Sequence, residues 1–238
     1  WYENIGSQPI LNTSSPADDL TSVATNSNII LNFTEAVDAE SGNIVIYNAS
    51  NDSAVETIDV TSGQVTGTGS AQITINPSSD LADSTSYYVQ IAATAFDDSS
   101  GNSYAGISDK TSLNFTTVDE TAPTFSSAAT NTAGTKVILT YNEALSATTA
   151  ATSAFAVTTG GSNNSVTDVA ISGSTIELTL TTTVKNDETV TVAYTDPSSS
   201  NDSNAIQDSS GNDAISLSST SVTNNSTVEN ISSSSGSS

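Results

Sequence analysis

The chain has 238 residues, of which 26 are acidic and 3 are basic, so its formal net charge is -23. This charge repels nucleic-acid phosphates and anionic membrane surfaces, and we expect no nucleic-acid partner and no membrane insertion in this segment. Because the sequence contains no histidine and no cysteine, it lacks the commonest general base, the thiol nucleophile and the usual zinc ligands. The composition therefore predicts that the protein is not an enzyme.

Residues 1–8 precede the first regular pattern and form an N-terminal extension. This extension contains Trp1, Tyr2 and Ile5. These apolar side chains either pack on the domain that follows or belong to an extended strand that adds to the sheet edge of a neighbouring subunit. The second interpretation makes all three candidate assembly residues, since an open sheet edge is a natural docking site.

Residues 9–118 contain short runs in which apolar side chains alternate with polar or smaller ones. This two-residue period places one face of each strand in a core and the other face in water. Clusters of Gly, Asn, Asp and Ser separate the runs, as turns require. We therefore predict an antiparallel sandwich for this part of the chain. The alternating apolar positions are Ile29, Leu31, Phe33, Ile44, Ile46, Ile73, Ile75, Tyr87, Val89, Ile91, Leu113 and Phe115.

Residues 119–225 repeat this alternation after a short linker that ends at Pro123. One Ala-rich stretch, 146–153, predicts a single helical turn or two. Residues 226–238 are rich in serine, a composition typical of a disordered tail. The alternating apolar positions here are Val137, Leu139, Tyr141, Phe155, Val157, Val169, Ile171, Ile176, Leu178, Leu180, Val190, Val192, Tyr194, Ile215 and Leu217.

Landmarks in the two halves recur at a nearly constant spacing. Glu143 follows Glu35 by 108 residues, and Gly211 follows Gly101 by 110 residues. This period matches one immunoglobulin-like domain of about 100 residues and is too long for the repeat of a solenoid. The sequence therefore predicts an all-β fold of two tandem antiparallel immunoglobulin-like β-sandwiches.

The motifs of the two halves resemble two different repeat families. The first half resembles the bacterial Ig-like repeat at 29–35 (IILNFTE), 87–91 (YYVQI) and 98–102 (DSSGN). The second half is similar to the repeat of giant cyanobacterial cell-surface proteins of the swimming-motility type, at 119–125 (DETAPTF), 137–144 (VILTYNEA) and 206–213 (IQDSSGND). These resemblances imply an extracellular sandwich of the kind found in adhesins, sheaths or surface fibres.

Acidic residues at strand ends and in loops are candidate calcium ligands. Calcium takes about six to eight oxygen ligands, which a linker and two loop ends can supply together. The alternative is that each Asp-Ser-Ser-Gly-Asn sequence forms an Asx turn that closes a hairpin without metal. The candidate ligands are Glu35, Asp97, Asp98, Asn102, Asp119, Glu120, Glu143, Asp208, Asn212 and Asp213.

These features favour a non-enzymatic structural protein with an extracellular or cell-surface location. It would be a subunit or repeat segment of a bacterial surface filament or stalk, and its partners would be copies of itself or neighbouring repeat domains. The alternative is a calcium-stabilised adhesin module that recognises a surface glycan or protein. An adhesin of this kind would use exposed aromatic side chains, for which Tyr47, Tyr88 and Tyr104 are the few candidates.

Overall fold

The computed structural model describes residues 6–231, so the assembly residues predicted from the sequence, Trp1, Tyr2 and Ile5, lie outside the described part. The chain divides into two compact units, the first ending at Asp119 and the second beginning at Glu120. Strands dominate both units, which confirms the all-β prediction. No helix within residues 6–231 has the length and apolar character needed to cross a membrane.

The first unit is a sandwich of two sheets. Its described strands, in chain order, are β1 (Leu11–Ser15), β2 (Leu20–Val23), β3 (Ile29–Ala39), β4 (Asn43–Asn48), β5 (Ala54–Asp59), β6 (Val65–Thr66), β7 (Ser70–Ile75), β8 (Ser86–Ile91), β9 (Phe96–Asp97) and β10 (Asn114–Thr117). One sheet has the order β1-β3-β7-β6, with β9 also pairing to β3, and the other has the order β2-β10-β8-β4-β5.

The core of the first unit lies between these two sheets. The alternation read from the sequence places the correct side chains there: Leu31, Ile46, Ile73 and Val89 are fully buried. Phe115 follows the same rule on β10 and is 2% exposed. The inward-facing residues of both sheets therefore form one continuous cluster, as expected for a sandwich.

The second unit is also a sandwich of two sheets, with four strands in each sheet instead of five. Its described strands are β11 (Phe125–Thr130), β12 (Lys136–Tyr141), β13 (Phe155–Thr159), β14 (Ser162–Asn163), β15 (Val166–Ser172), β16 (Thr175–Leu180), β17 (Val190–Tyr194) and β18 (Leu217–Val222). The sheet orders are β11-β12-β16-β15 and β14-β13-β17-β18. Its core is a separate cluster of buried side chains.

Three sequence-based expectations for the second unit differ from the structure. The Ala-rich stretch forms only a 3₁₀ turn, Thr152–Ala154, instead of helix over 146–153. Ile215 is 79% exposed, and its neighbour Ala214 lies in the core instead. The amide of Ala214 donates a hydrogen bond to the carbonyl of Ile206, and this bond holds Ala214 in that position. Ser226, expected in the tail, is 7% exposed and its hydroxyl donates to a backbone carbonyl of the unit.

In both units a segment near the start of the unit and the segment that leaves it run side by side in the same direction. In the first unit β2 pairs with β10 in parallel. In the second unit Ala129 on β11 forms a parallel bridge with Thr223, which directly follows β18. These parallel contacts join the two ends of each sandwich through backbone hydrogen bonds.

Candidate metal centre

The two Asp-Ser-Ser-Gly-Asn sequences fold into turns with the same hydrogen-bond pattern. In the first unit, Asp98 Oδ1 accepts hydrogen bonds from the amides of Ser100 and Asn102, each at 2.8 Å, and the Asn102 side chain donates to Oδ2 at 2.8 Å. Gly101 adopts a φ of +82°, which glycine reaches without a steric penalty. The hydrogen bond from the Asn102 side chain is the main cause that lowers the pKa of Asp98.

The turn of the second unit repeats this pattern around Asp208, which is only 2% exposed. Its Oδ1 accepts from the amides of Ser210 at 2.8 Å and Asn212 at 2.9 Å, and the Asn212 side chain donates to Oδ2 at 2.8 Å. Both loops therefore form Asx turns, and metal binding at either loop stays a prediction. A carboxylate offers about four lone-pair positions, so three hydrogen bonds leave room for one further ligand contact.

Glu143 and Asp208 come together at the same end of the second unit. Glu143 follows β12 by two residues, and a backbone bridge between Leu145 and Asp208 holds the two segments side by side. The amide of Ser146 also donates to the carbonyl of Gln207 at 2.8 Å. Carboxylate oxygens of Glu143 and Asp208 lie within 4.8 Å of each other. Two oxygens that each bind one Ca²⁺ at about 2.4 Å are separated by at most about 4.8 Å, so this pair fits a single ion.

Asp213 and Asn212, also predicted as ligands, are engaged within the loop region. Asp213 accepts a hydrogen bond from the Gln207 side chain at 2.7 Å and another from the Asp202 amide at 3.0 Å. Asn212 uses its side-chain nitrogen on Asp208. Asp213 therefore ties the loop to the segment around residue 202, and a metal-binding role for either residue stays a prediction.

In the first unit, Asp97 and Asp98 lie in different backbone settings. Asp97 ends β9, where its Cα partner on β3 is Asp38, whereas Asp98 begins the turn described above. Asp97 Oδ1 is buried and accepts no hydrogen bond within the described residues. The sequence carries no signal for the pairing with Asp38, because it depends on how far β3 extends.

The other predicted ligands lie at less defined positions. Glu35 is half-buried within β3, in the stretch between Asn32 and Val37 where the pairing with β7 is interrupted. Asp119 is half-buried and Glu120 is exposed, and the two units divide between them. Calcium binding by these three acids stays a prediction.

The aromatic side chains considered as a binding platform are mostly covered. Tyr47 and Tyr88 stack with ring centroids 4.9 Å apart and planes 11° from parallel. The Lys110 ammonium lies 5.5 Å from the Tyr88 ring and pairs with Asp52 at 2.6 Å, and its hydrogen bond lowers the pKa of Asp52. Tyr88 is consequently only 4% exposed, and Tyr104 is a core residue at 7%. Only Tyr47 is half-exposed, so these three tyrosines do not form an open platform.

Comparison with known protein families finds one match in each half of the chain. Residues 6–117 match the family model described as "Bacterial Ig-like domain", and residues 118–199 match the one described as "Putative flagellar system-associated repeat". No curated protein matches the chain.

Several solved structures are similar in fold. The N-terminal part of the bacterial S-layer protein SbsC is 22% identical, with 44% of this chain and 24% of that chain covered and a TM-score of 0.36. A longer stretch of the same S-layer protein, rSbsC(31-844), is 11% identical, with 92% and 26% covered and a TM-score of 0.33. The surface glycan-binding protein PbSGBP-B from Prevotella bryantii is 16% identical, with 91% and 42% covered and a TM-score of 0.23. The matched part is about a quarter of the length of each S-layer structure.

Proposed function

We propose that this chain, whose two halves match a bacterial Ig-like domain and a putative flagellar system-associated repeat, is a load-bearing structural subunit of an extracellular filament or stalk. The observation that carries the proposal is the parallel pairing, in each unit, between a segment near its start (β2 or β11) and the segment that leaves it. Tension on the chain pulls such segments in opposite directions along their own axes. Their hydrogen bonds are then loaded together in shear, whereas the bonds of a hairpin pulled open break one after another.

In the first unit, these bonds flank the short pairing of β2 with β10. The amide of Asp19 donates to the carbonyl of Asn114 at 2.8 Å, and the amide of Val118 donates to the carbonyl of Val23 at 2.8 Å. The Asp18 carboxylate also accepts from the Asn114 amide at 2.9 Å. Bonds at both ends of the pair support a role in which force passes through this contact.

In the second unit the parallel contact is longer than its single bridge suggests. Thr223 donates its amide to the carbonyl of Ala128 and accepts from the amide of Thr130, both at 2.9 Å. Two residues further on, the Asn225 amide donates to the Thr130 hydroxyl at 2.8 Å. Thr227 then donates its amide to the carbonyl of residue 132 at 2.9 Å. This ladder, together with the parallel pairing in the first unit, supports the structural role.

We infer that the chain performs no catalysis. It has no histidine and no cysteine, and neither matched family is described as an enzyme. The carboxylates of the loop turns are occupied by hydrogen bonds that stabilise the backbone, which is a structural use. We also place the protein outside the cell or on its surface, where a filament of Ig-like repeats would act.

Calcium at Glu143 and Asp208 is part of the proposed function. Two carboxylates within 4.8 Å of each other repel, and a divalent cation would convert this repulsion into a bond between the strand end and the loop. Asp119 and Glu120, the acids of the linker, remain candidate ligands from the sequence alone. The calcium would stiffen the end of the second unit that receives the linker.

The partners that we propose are copies of this chain or neighbouring repeat domains. Residues 1–8, with Trp1, Tyr2 and Ile5, would add as a strand to a neighbouring subunit. The alternative function, an adhesin that binds a glycan or protein, is less well supported, because Tyr88 and Tyr104 are covered.

Electron microscopy of the purified chain, at rising concentration and in calcium, tests the proposal. We expect filaments with a regular axial repeat, and we expect a variant that lacks residues 1–8 to form none. Monodisperse particles at every concentration would contradict the filament. Selective binding to one glycan on an array by such particles would favour the adhesin instead.

A further inference from the structure

An open sheet edge exposes backbone groups that can pair with another strand, and most edges in this protein are short or blocked. Edge strands β6 and β14 have two residues each. Edge strand β11 is covered by the parallel segment at Thr223. On β5, Glu56 reaches out of the sheet and accepts hydrogen bonds from the Gln64 side chain and the Ser78 amide, at 2.8 and 3.0 Å. Irregular pairing interrupts β1, β2 and β18.

Strand β15 is the least protected of these edges among the described residues: its one irregularity lies at its start, and the 3₁₀ turn Thr152–Ala154 comes near it without pairing. It is an edge strand that pairs only with β16 among the described residues, and after one irregularity its residues 168–172 keep an unbroken register of five pairs. Val169 and Ile171 face the core but remain only partly buried, because no further strand covers that side. Asp168 is its only charged side chain, and the strand has no proline and no lysine.

We propose that β15 is the contact between two copies of this chain, which pair antiparallel about a two-fold axis at Ala170. The proposal commits to a second copy because the sequence of the strand is complementary to itself in this register. Val169 then lies opposite the partner's Ile171 on the core side, and Asp168 lies opposite the partner's Ser172 on the outer side. The two-fold axis repeats each of these pairs. The apolar side chains of Val169 and Ile171 therefore cover one another, and the Asp168 carboxylate of each copy faces the hydroxyl of Ser172 instead of a second carboxylate.

The two four-stranded sheets would thereby join into one continuous sheet of eight strands. This contact uses neither residues 1–8 nor the pair Glu143 and Asp208, so it goes beyond the assembly through residues 1–8 proposed above. Each copy carries a net charge of -23, and the repulsion between copies opposes pairing. Salt screens this repulsion over about 8 Å at physiological ionic strength, so association should strengthen as salt is added.

Sedimentation equilibrium of the full chain at low and high salt tests the contact. We expect a monomer–dimer equilibrium that shifts toward dimer in about 0.5 M NaCl. The variant Ala170→Lys should weaken dimerisation by about tenfold or more, because two ammonium groups would meet at the two-fold axis. Its fold should be retained, since Ala170 is exposed and its cross-strand neighbour is Glu177.

The matched control is Val55→Lys, a change on another edge strand at a residue that is 47% exposed. It should leave the dimerisation constant unchanged. A second test uses the absence of cysteine from the chain: Ala170→Cys should form a disulfide-linked dimer on oxidation, and Val55→Cys should not.

Three results would overturn the proposal. The first is a wild-type protein that stays monomeric up to about 1 mM in high salt. The second is an Ala170→Lys variant that dimerises as well as the wild type. The third is a dimer that is lost only when residues 1–8 are deleted, which would show that the N-terminal extension, and not β15, forms the contact between copies.

Discussion

The hydroxyl of Tyr87 accepts a hydrogen bond from the amide of Ala82, five residues upstream, at 3.0 Å. This contact ties the start of β8 to the turn before it, an arrangement known in immunoglobulin-like sandwiches as a tyrosine corner. The second unit has Val190 at the start of the corresponding strand, and its Tyr194 hydroxyl instead accepts from the amide of Ile206 at 3.0 Å. The two units therefore secure their corners by different contacts.

Replacement of Tyr87 by phenylalanine should destabilise only the first unit, by about 1 kcal/mol, because it removes one hydroxyl and leaves the ring in the core. Hydrogen exchange of the amides of β8 and β17, measured at rising urea concentration, gives the stability of each unit separately. Tyr47→Phe is the control, since the Tyr47 hydroxyl has no hydrogen bond within the described residues. An equal loss of stability in both units would contradict the expectation that the hydrogen bond of Tyr87 stabilises the first unit alone.

Calcium should raise the melting temperature of the second unit, and a chelator should reverse the increase. A ligand at one hundred times its dissociation constant stabilises the folded state by about 2.7 kcal/mol. Glu143→Gln should abolish most of this shift, because it removes one of the two adjacent carboxylates. The control Glu177→Gln alters a glutamate that instead pairs with Lys136 on the outer face of its sheet. Identical melting curves with and without chelator would show that calcium does not stabilise the second unit.

Acid should destabilise the first unit in part through Asp109. The Ser112 hydroxyl is the main contributor that lowers the pKa of this carboxyl from 3.8 to about 2, followed by the Thr111 amide. A carboxyl with a lowered pKa stabilises the fold above its unfolded value, and this contribution is lost as the pH falls from about 4 to about 2. Asp109→Asn should therefore flatten the pH dependence of the urea midpoint in this window. The control is Asp80→Asn, at an exposed residue. If it flattened the pH dependence of the urea midpoint as much as Asp109→Asn does, the effect could not be assigned to Asp109.

Gly106→Ala should cost about 1–3 kcal/mol more than Gly101→Ala in the stability of the first unit. Both glycines have a positive φ, of +74° and +82°, so both substitutions carry the same kind of backbone strain. They differ in space: a Cβ at position 106 would lie 2.5 Å from the carbonyl oxygen of Ile91, whereas position 101 has no atom within 4 Å. Chemical denaturation of the two variants measures the difference, and equal costs would refute the close approach.

Local patterns in the sequence predict much of this structure. Alternation placed Leu31 and Val89 in the core, because a two-residue period has the same meaning in every half-buried strand. The Asx turns at Asp98 and Asp208 also follow from five adjacent residues, which carry both the acceptor and its donors. Ile215 does not follow the alternation, since the hydrogen bond from the Ala214 amide to the Ile206 carbonyl places Ala214 in the core instead.

Contacts between distant parts of the chain were not predictable in this way. The approach of Glu143 to Asp208 depends on the backbone bridge from Leu145, and the pairing of Asp38 with Asp97 depends on the length of β3. The parallel pairing of the terminal segments is likewise set by sandwich topology, and no local motif marks Thr223 as its centre. These are the features on which the functional proposals rest.

The most direct test of the load-bearing role is to stretch single molecules held at both ends of the chain. We expect two separate unfolding events, each releasing a contour length of about 35 nm for a unit of this size. Thr223→Pro removes the amide that donates to Ala128, so it should lower the unfolding force of one event only, with the first unit as the internal control. Units that extend without a resolvable force peak, or a variant whose two forces match those of the wild type, would contradict the account.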